Sequence, residues 1–367
     1  MTATTSVIAD LCIYLLTWNV GTHTPKGVSL TSLLALNGTT NCPGNGLPDI
    51  YVIGMQEVNT KQVFNIFQED PWVLKFASEL SDHEYVKVQS KQLQGILITM
   101  FTKPKHIPHM KDIEAEETRT GLGGLWGNKG AVSIRLSLYG TGAVFVCAHL
   151  AAHDDKLKER IEDYHQIVDN HKYHVDGYRR IFDHDFVFWF GDLNFRLSGD
   201  MSAWDVRGAV DHARYEELLK LDQLILLRET GNAFSLLDEQ RPNFAPTFKF
   251  IEGTNEYDLK RRPAWCDRIL HRVQINSYPS ITLSAQQLSY QSNMDYTLSD
   301  HKPVSATFNY KIEAHNLTYT DEELHEMTHG SASTVSSNVS VLAIVISIMT
   351  YHATIHLPLF SASFVAV

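Results

Sequence analysis

Acids, amides and imidazoles recur in one setting along this 367-residue chain: at the ends of short apolar runs. Asn19 follows CIYLLTW, Glu57 follows DIYVIGMQ and His149 follows AVFVCA. Asp192 and Asn194 follow DFVFWFG, with Arg196 close behind, and Asp300-His301 precede PVSATF. If the runs are strands, their polar ends share one rim, where a rigid scaffold positions loop side chains. Such a rim holds hard oxygen donors, a carboxylate to polarise water, an amide to donate to a phosphoryl oxygen, and imidazoles. Phosphoryl transfer needs mainly positioning and charge neutralisation, so these groups suit it. Each also has a plainer reading. Glu57 alone is a solvated strand-end acid, Gly191-Asp192 alone is turn chemistry, and His301 alone is a surface histidine.

Glu57 and Asn19 are oxygen ligands, and no Cys/His set is spaced for zinc, so Mg2+ is the expected ion. Asp300-His301 reads as an orienting pair, in which the acid fixes the imidazole's tautomer and keeps it cationic. Two stretches supply cations. GLGGLWGNKG (121–130) ends in Asn128-Lys129 and lacks the Walker pattern, but its glycines permit close backbone approach to an anion. KRRPAWCDRIL (260–270) gathers Lys260, Arg261, Arg262 and Arg268 around a rigid Pro-Ala-Trp.

The elements that must hold these residues are short and β-rich. Strands are expected over CIYLLTWNV, DIYVIGMQEV, YVKVQSKQL, GILITMFTK, AVSIRLSLYG, AVFVCAHL, DFVFWFGD, DRILHRVQI and PVSATFNYKI. Helices are expected over 154–171, with Leu157, Ile161, Tyr164 and Val168 on one face, and over 211–227. Together these predict an α/β fold, a two-sheet β-sandwich flanked by helices. A catalytic domain is expected over 1–313. The tail, 314–367, has no Asp, Glu, Lys or Arg from Met327 onward. It is expected to be disordered or weakly membrane-associating, since VSVLAIVISIM (339–349) falls short of the roughly 20 residues of a spanning helix.

A net charge of −11 excludes wholesale nucleic-acid binding, so an anionic substrate requires a local basic pocket. Cys12, Cys42, Cys147 and Cys266 lack metal-ligand spacing, and three of them sit in apolar or motif-like runs. That setting predicts reduced core thiols in a cytoplasmic protein. No basic residue precedes Lys26, against a secretory signal. The N-x-[ST] triplets at Asn37, Asn316 and Asn338 carry little weight.

FWFGDLNFR and RPAWCDRIL resemble the two signature motifs of the inositol polyphosphate 5-phosphatases. TWNV, GMQEV, GLWGNKGAV, AHLAAH, PTFKF and SDHKPV match the family's other blocks in order, from about Leu11 to Lys311. PTFKF is most similar to the skeletal-muscle and kidney enriched subtype. The resemblance implies a DNase I-like sandwich and Mg2+-dependent removal of the 5-phosphate from phosphoinositides at a membrane surface, and from soluble inositol phosphates. It implies metal-site roles for Asn19 and Glu57, water activation by Asp192 and a phosphate grip by Asn194. His301, paired to Asp300, becomes the transition-state donor, and His149 another phosphate contact. Asn128, Lys129 and Arg196 would line the cleft with Arg268, and Lys249 would meet the 4-phosphate together with Lys260 or Arg261. Phe248 replaces a common tyrosine, removing a hydroxyl, Ala131 replaces a glycine, and the subtype's C-terminal targeting domain is missing. An abasic-site endonuclease, a sphingomyelinase and a non-catalytic scaffold are the competing readings; net charge and the KRRPAWCDR block oppose the first two.

Overall fold

The structure is a computed structural model that describes residues 5–38, 40–59, 69–275 and 278–315. The tail segment considered as an anchor, with Asn316 and Asn338, lies outside the described residues. Of the described residues, 7–38, 40–59, 69–275 and 282–313 form one compact unit. The described residues 5–6, 278–281 and 314–315 belong to a second, in which Tyr278 bridges to Ile281 and His315 N–H donates to Ser280 O.

The main unit is built on two sheets. One holds, in spatial order, β10 (Ile281–Ser292), β11 (Val304–His315), β1 (Thr5–Asn19), β2 (Ile50–Gln56), β4 (Ile96–Thr102) and β3 (Val86–Leu93). The other holds β5 (Met110–Thr120), β6 (Trp126–Leu138), β7 (Thr141–His149), β8 (Phe186–Asp192) and β9 (Asp267–Val273). Strands β2, β4, β7 and β8 are buried throughout, which is why they read as continuous apolar runs. The inner faces meet tightly. A Cβ on Gly54 of β2 would come within 2.5 Å of Phe190 Cε2 and 2.6 Å of Cys147 Sγ, so only glycine fits there.

Helices cover the outer faces. Trp72, Phe76 and Leu80 of α1 (Pro71–Ser81) pack with Tyr14, Leu16, Trp18, Tyr51 and Ile53. Apart from the four-residue α2 (Gly121–Gly124), the next helix is α3 (Leu157–Asn170). Its Tyr164 and Ile167, with Leu157, Ile161 and Val168, pack against Val144, Val146 and Trp189, the face expected from the sequence. The single helix expected over 211–227 is instead three: α4 (Ala203–Asp211), α5 (Tyr215–Leu219) and α6 (Gln223–Thr230). Ala213, at φ 51°, breaks the first junction, and the Asp222 carboxylate caps α6 by accepting Ile225 N–H.

Two strands were not expected, β5 (MKDIEAEETRT) and β10 (ITLSAQQLSYQS). Both lie at sheet edges with half-exposed, polar faces, and so carry no apolar run. The thiol expectation is also corrected. Cys12 and Cys42 form a disulfide, because the β1–β2 connection returns Cys42 to β1 with a Cα separation of 5.5 Å. Cys147 and Cys266 are free and buried, as expected. Among the described residues no helix is long and apolar enough to cross a membrane.

Candidate active site

Two parallel pairs build the rim. β1 runs parallel to β2 with Asn19 opposite Gln56, and β7 runs parallel to β8 with His149 opposite Asp192. Parallel neighbours end together, so each pair delivers its terminal side chains to one edge. The antiparallel β9 starts at the same place, with Asp267 opposite Asp192. Just past the strand ends, Glu57 (φ 55°) and Asn194 (φ 58°) adopt left-handed backbone, which non-glycine residues seldom do. Gly191 (φ 141°) lets β8 approach β7; a Cβ there would meet Ala148 O at 1.9 Å.

One amide ties the two sheets. Asn19 Nδ2 donates to Asp192 Oδ2 (2.9 Å) and to Glu57 Oε1 (3.1 Å). Its own oxygen accepts Gly21 N–H at 3.0 Å. Asp192 is the hub: Oδ2 lies 3.3 Å from His149 Nε2 and 3.8 Å from His301 Nε2, and Oδ1 accepts Asn194 N–H at 3.1 Å. His301 Nδ1 donates to Asp267 Oδ2 at 2.9 Å, and that oxygen also accepts the Thr247 hydroxyl at 2.7 Å. His149 Nε2 also lies against the Lys129 ammonium.

These contacts set the charges. Burial alone would raise the Asp192 pKa, but His301, His149 and Lys129 outweigh it and hold the carboxylate ionised. Burial would likewise discharge His301. Asp267 and Asp192 overcome that and push its pKa up to about 9, so it is an imidazolium at neutral pH. His149 goes the other way, lowered by burial and by Lys129 despite Asp192. Lys129 is lowered by burial, against the pull of Asp192 and Glu57.

The structure corrects two residues. Asp300 is not the partner of His301; its carboxylate accepts Lys249 Nζ at 2.7 Å. Asp300 lies in the bend before His301, and its carboxylate turns to Lys249 rather than to the imidazole. Asp267, inside RPAWCDRIL, takes that place and was missed. Its signal was an acid opening an apolar strand. Alternation along β9 removes Arg268 from the cleft. Asp267 faces the rim, so Arg268 points away, fully buried, with Nη1 on Asp222 (2.9 Å) and Nη2 on Glu239 (2.7 Å).

Other expected residues sit around the hub. Asn194 Nδ2 donates to Leu150 O (3.1 Å), and its oxygen accepts Arg196 Nη2 (2.5 Å). The buried Arg196 guanidinium lies 4.4 Å from the Phe248 ring centre, and that ring stands 4.5 Å from the His301 ring. Lys249 Nζ is 5.6 Å from the Phe248 ring centre. Asn128 is exposed, as are Lys260 and Arg261, whose backbone N–H groups donate to Asp258. Arg262 is held by Gly199 O and Asp154.

Ligand atoms of Asp192, Asp267 and His301 lie within 4.8 Å of one another, a spacing compatible with an ion. The His301–Asp267 hydrogen bond already uses that geometry. Glu57 offers a better opening: its side chain is 45% exposed, and its carboxylate shares the Asn19 amide with Asp192. The Glu57 and Asp192 carboxylates, without thiolate, suit a hard divalent cation; the Asn19 amide faces them with Nδ2, so it would offer Oδ1 to an ion with the amide turned.

Residues 16–307 match the Endonuclease/Exonuclease/phosphatase family 2. The chain is 42% identical over 310 residues to phosphatidylinositol 4,5-bisphosphate 5-phosphatase A of Homo sapiens, covering 81% of this chain and 30% of that protein. It is 35% identical over 318 residues to inositol polyphosphate 5-phosphatase K of Mus musculus, covering 82% of this chain and 66% of that protein. The chain thus spans less than a third of the length of the first of these relatives. Among solved structures it resembles the inositol polyphosphate 5-phosphatase domain of spSynaptojanin, in complex with inositol (1,4)-bisphosphate and calcium ion. The TM-score is 0.70 at 30% identity, covering 96% of this chain and 94% of that one. A sandwich whose parallel strand pairs bring Asn19, Glu57, His149 and Asp192 to one rim, matched over nearly its full length, makes this chain a member of the inositol polyphosphate 5-phosphatase family.

Proposed function

We propose that this chain removes the 5-phosphate from phosphoinositides such as phosphatidylinositol 4,5-bisphosphate and 3,4,5-trisphosphate, and from soluble inositol phosphates, with Mg2+ as cofactor. The observation that carries the reading is the charge pattern at the rim. An ionised Asp192 stands beside an imidazolium, His301, that is itself backed by a second buried acid. Such a site presents an acceptor to water and a donor to phosphate within one cleft.

Asp192 is a weak base with its pKa held low, so its main work is to orient the attacking water and draw its proton as charge develops. His301 donates from Nε2 to a phosphoryl oxygen, while Asp267 keeps its tautomer and charge. One hydrogen of the Asn194 amide is on Leu150 O, and the other is left for the scissile phosphate. Neutral His149 adds a phosphate contact. Arg196, Lys129 and Asn128 supply charge and hydrogen bonds at the cleft wall. Lys249, now on Asp300, swings to the 4-phosphate, with Lys260 or Arg261 on its far side. Glu57 and Asn19 would hold the cation, which supplies neutralisation of phosphate charge when bound.

A lipid-borne substrate is supported by Leu125 and Trp126, 83% and 55% exposed immediately before Gly127-Asn128-Lys129. Apolar side chains presented beside a phosphate site suit peripheral contact with a membrane surface. The test is phosphate release from phosphatidylinositol 4,5-bisphosphate vesicles and from inositol 1,4,5-trisphosphate, with Mg2+ or with EDTA. Release that requires Mg2+ supports the reading. Folded protein that releases nothing from either substrate overturns it.

A further inference from the structure

Arg160 of α3 is completely buried, yet among the described residues it forms no ion pair. All its hydrogen-bond partners are neutral. Nη1 donates to Ala151 O (3.0 Å) and His153 O (2.7 Å), and Nη2 donates to Gln223 Oε1 (2.9 Å). A buried guanidinium with no carboxylate in contact is costly; Asp154, Asp163 and Asp192 act on Arg160 only through space, whereas Arg268 shows the ordinary remedy with two carboxylates in contact.

What Arg160 grips explains its placement. Ala151 and His153 follow His149, and Asp163, one turn along α3, holds the same segment by accepting Ala151 N–H at 2.8 Å. Leu150, within that segment, accepts from the Asn194 amide. Gln223 Oε1 also accepts Arg196 N–H (3.0 Å), and Gln223 N–H donates to Arg196 O (3.0 Å). One planar fork therefore braces the chain after β7 and, through Gln223, the chain after β8.

We propose that Arg160 is a positioning residue for the phosphate-binding residues Asn194 and Arg196, and that its charge, which no carboxylate contacts, is left for the substrate anion to feel. This rests on the 5-phosphatase reading above. The neutral Gln223 is then the telling neighbour: a carboxylate there would keep both acceptor contacts but cancel the charge.

The experiment compares Gln223→Glu and Arg160→Lys with the wild-type full chain. Turnover of inositol 1,4,5-trisphosphate, its binding by calorimetry, and thermal unfolding are measured for each. Gln223→Glu is expected to raise KM and weaken binding about fivefold, with kcat nearly unchanged and no loss of thermal stability. Arg160→Lys keeps the charge and loses the fork, so kcat falls about tenfold with less change in KM. A purely structural Arg160 gives the opposite record: Gln223→Glu stabilises with unchanged kinetics and binding, and folded Arg160→Lys keeps its kcat. That record overturns the proposal. If Arg160→Lys does not fold, Gln223→Glu decides alone. A wild-type chain without turnover refutes the 5-phosphatase reading, and the calorimetric arm still decides the role of the charge.

Discussion

Asp192 stands between two buried imidazoles in opposite electrostatic company. On one side His301 has a carboxylate behind it and is cationic; on the other His149 has an ammonium beside it and is neutral. Both are almost fully buried, so burial does not distinguish them. The difference comes from which strand end lies next to each: β9 brings Asp267 to His301, and β6 brings Lys129 to His149. Two like side chains around one acid thus become a donor and a neutral contact, the division that general acid–base chemistry requires.

Removing the shared acid should have the largest effect. Asp192→Ala should lower kcat by about 10^3-fold or more while binding of substrate survives, since the water-orienting group acts mainly in the transition state. Equal loss of binding and rate in calorimetry and turnover would contradict that role. Asp267→Asn next removes the charge behind His301 and should lower kcat by about 10^2-fold. The pH profile sharpens this. A pKa raised from 6.5 to about 9 means that the ion pair stabilises fully below about pH 6.5 and is lost as pH rises through 9. Wild-type kcat should therefore decline above about pH 9, and Asp267→Asn should move that decline to lower pH. An unmoved alkaline limb would assign it to another group.

Lys129→Met tests the other side. It should let the His149 pKa rise, read by NMR titration of the imidazole, and should cost about tenfold in kcat/KM through lost charge near the phosphate. A His149 that titrates unchanged would sever it from Lys129. Arg268→Met should matter least to catalysis. It leaves the buried Asp222 without a cation and Glu239 with only Tyr290 and the more distant Arg228, so roughly 3–5 kcal/mol of stability should be lost in chemical denaturation. KM for the protein that remains folded should stay where it was; a raised KM would return Arg268 to the cleft.

Much of the rim was legible because its strands are short, apolar and buried on both faces, so their polar ends stood out. The helix at Leu157–Asn170 was legible from its 3.6-residue period. The partner of His301 was not, because Asp267 lies 34 residues away and reaches it only through strand register. Adjacency favoured Asp300, but it sits in the bend before His301 and pairs with Lys249 instead. Alternation along β9 hid the fate of Arg268, whose neighbour in sequence faces the cleft while it does not. Edge strands β5 and β10 escaped because exposure on one side lets polar residues replace the apolar signal. Reading 211–227 as one helix failed for another reason: short helices that share one small core, around Trp265, need no continuous period of their own.

The Cys12–Cys42 bond closes a 30-residue span of the connection that leaves the rim at Asn19 and returns to β2. Closing a loop of that length limits the unfolded chain by an amount worth about 3–4 kcal/mol. The fold therefore takes part of its stability from the electron balance of its surroundings. In an oxidising milieu the connection is a covalent tether. In a glutathione-buffered one it is held by Leu30, Leu33 and Leu34 in the outer core and by the Tyr296 hydroxyl, which donates to Ser29 O and accepts Leu33 N–H. The melting point of the same sequence, with and without reductant, then becomes a report on where the chain was made.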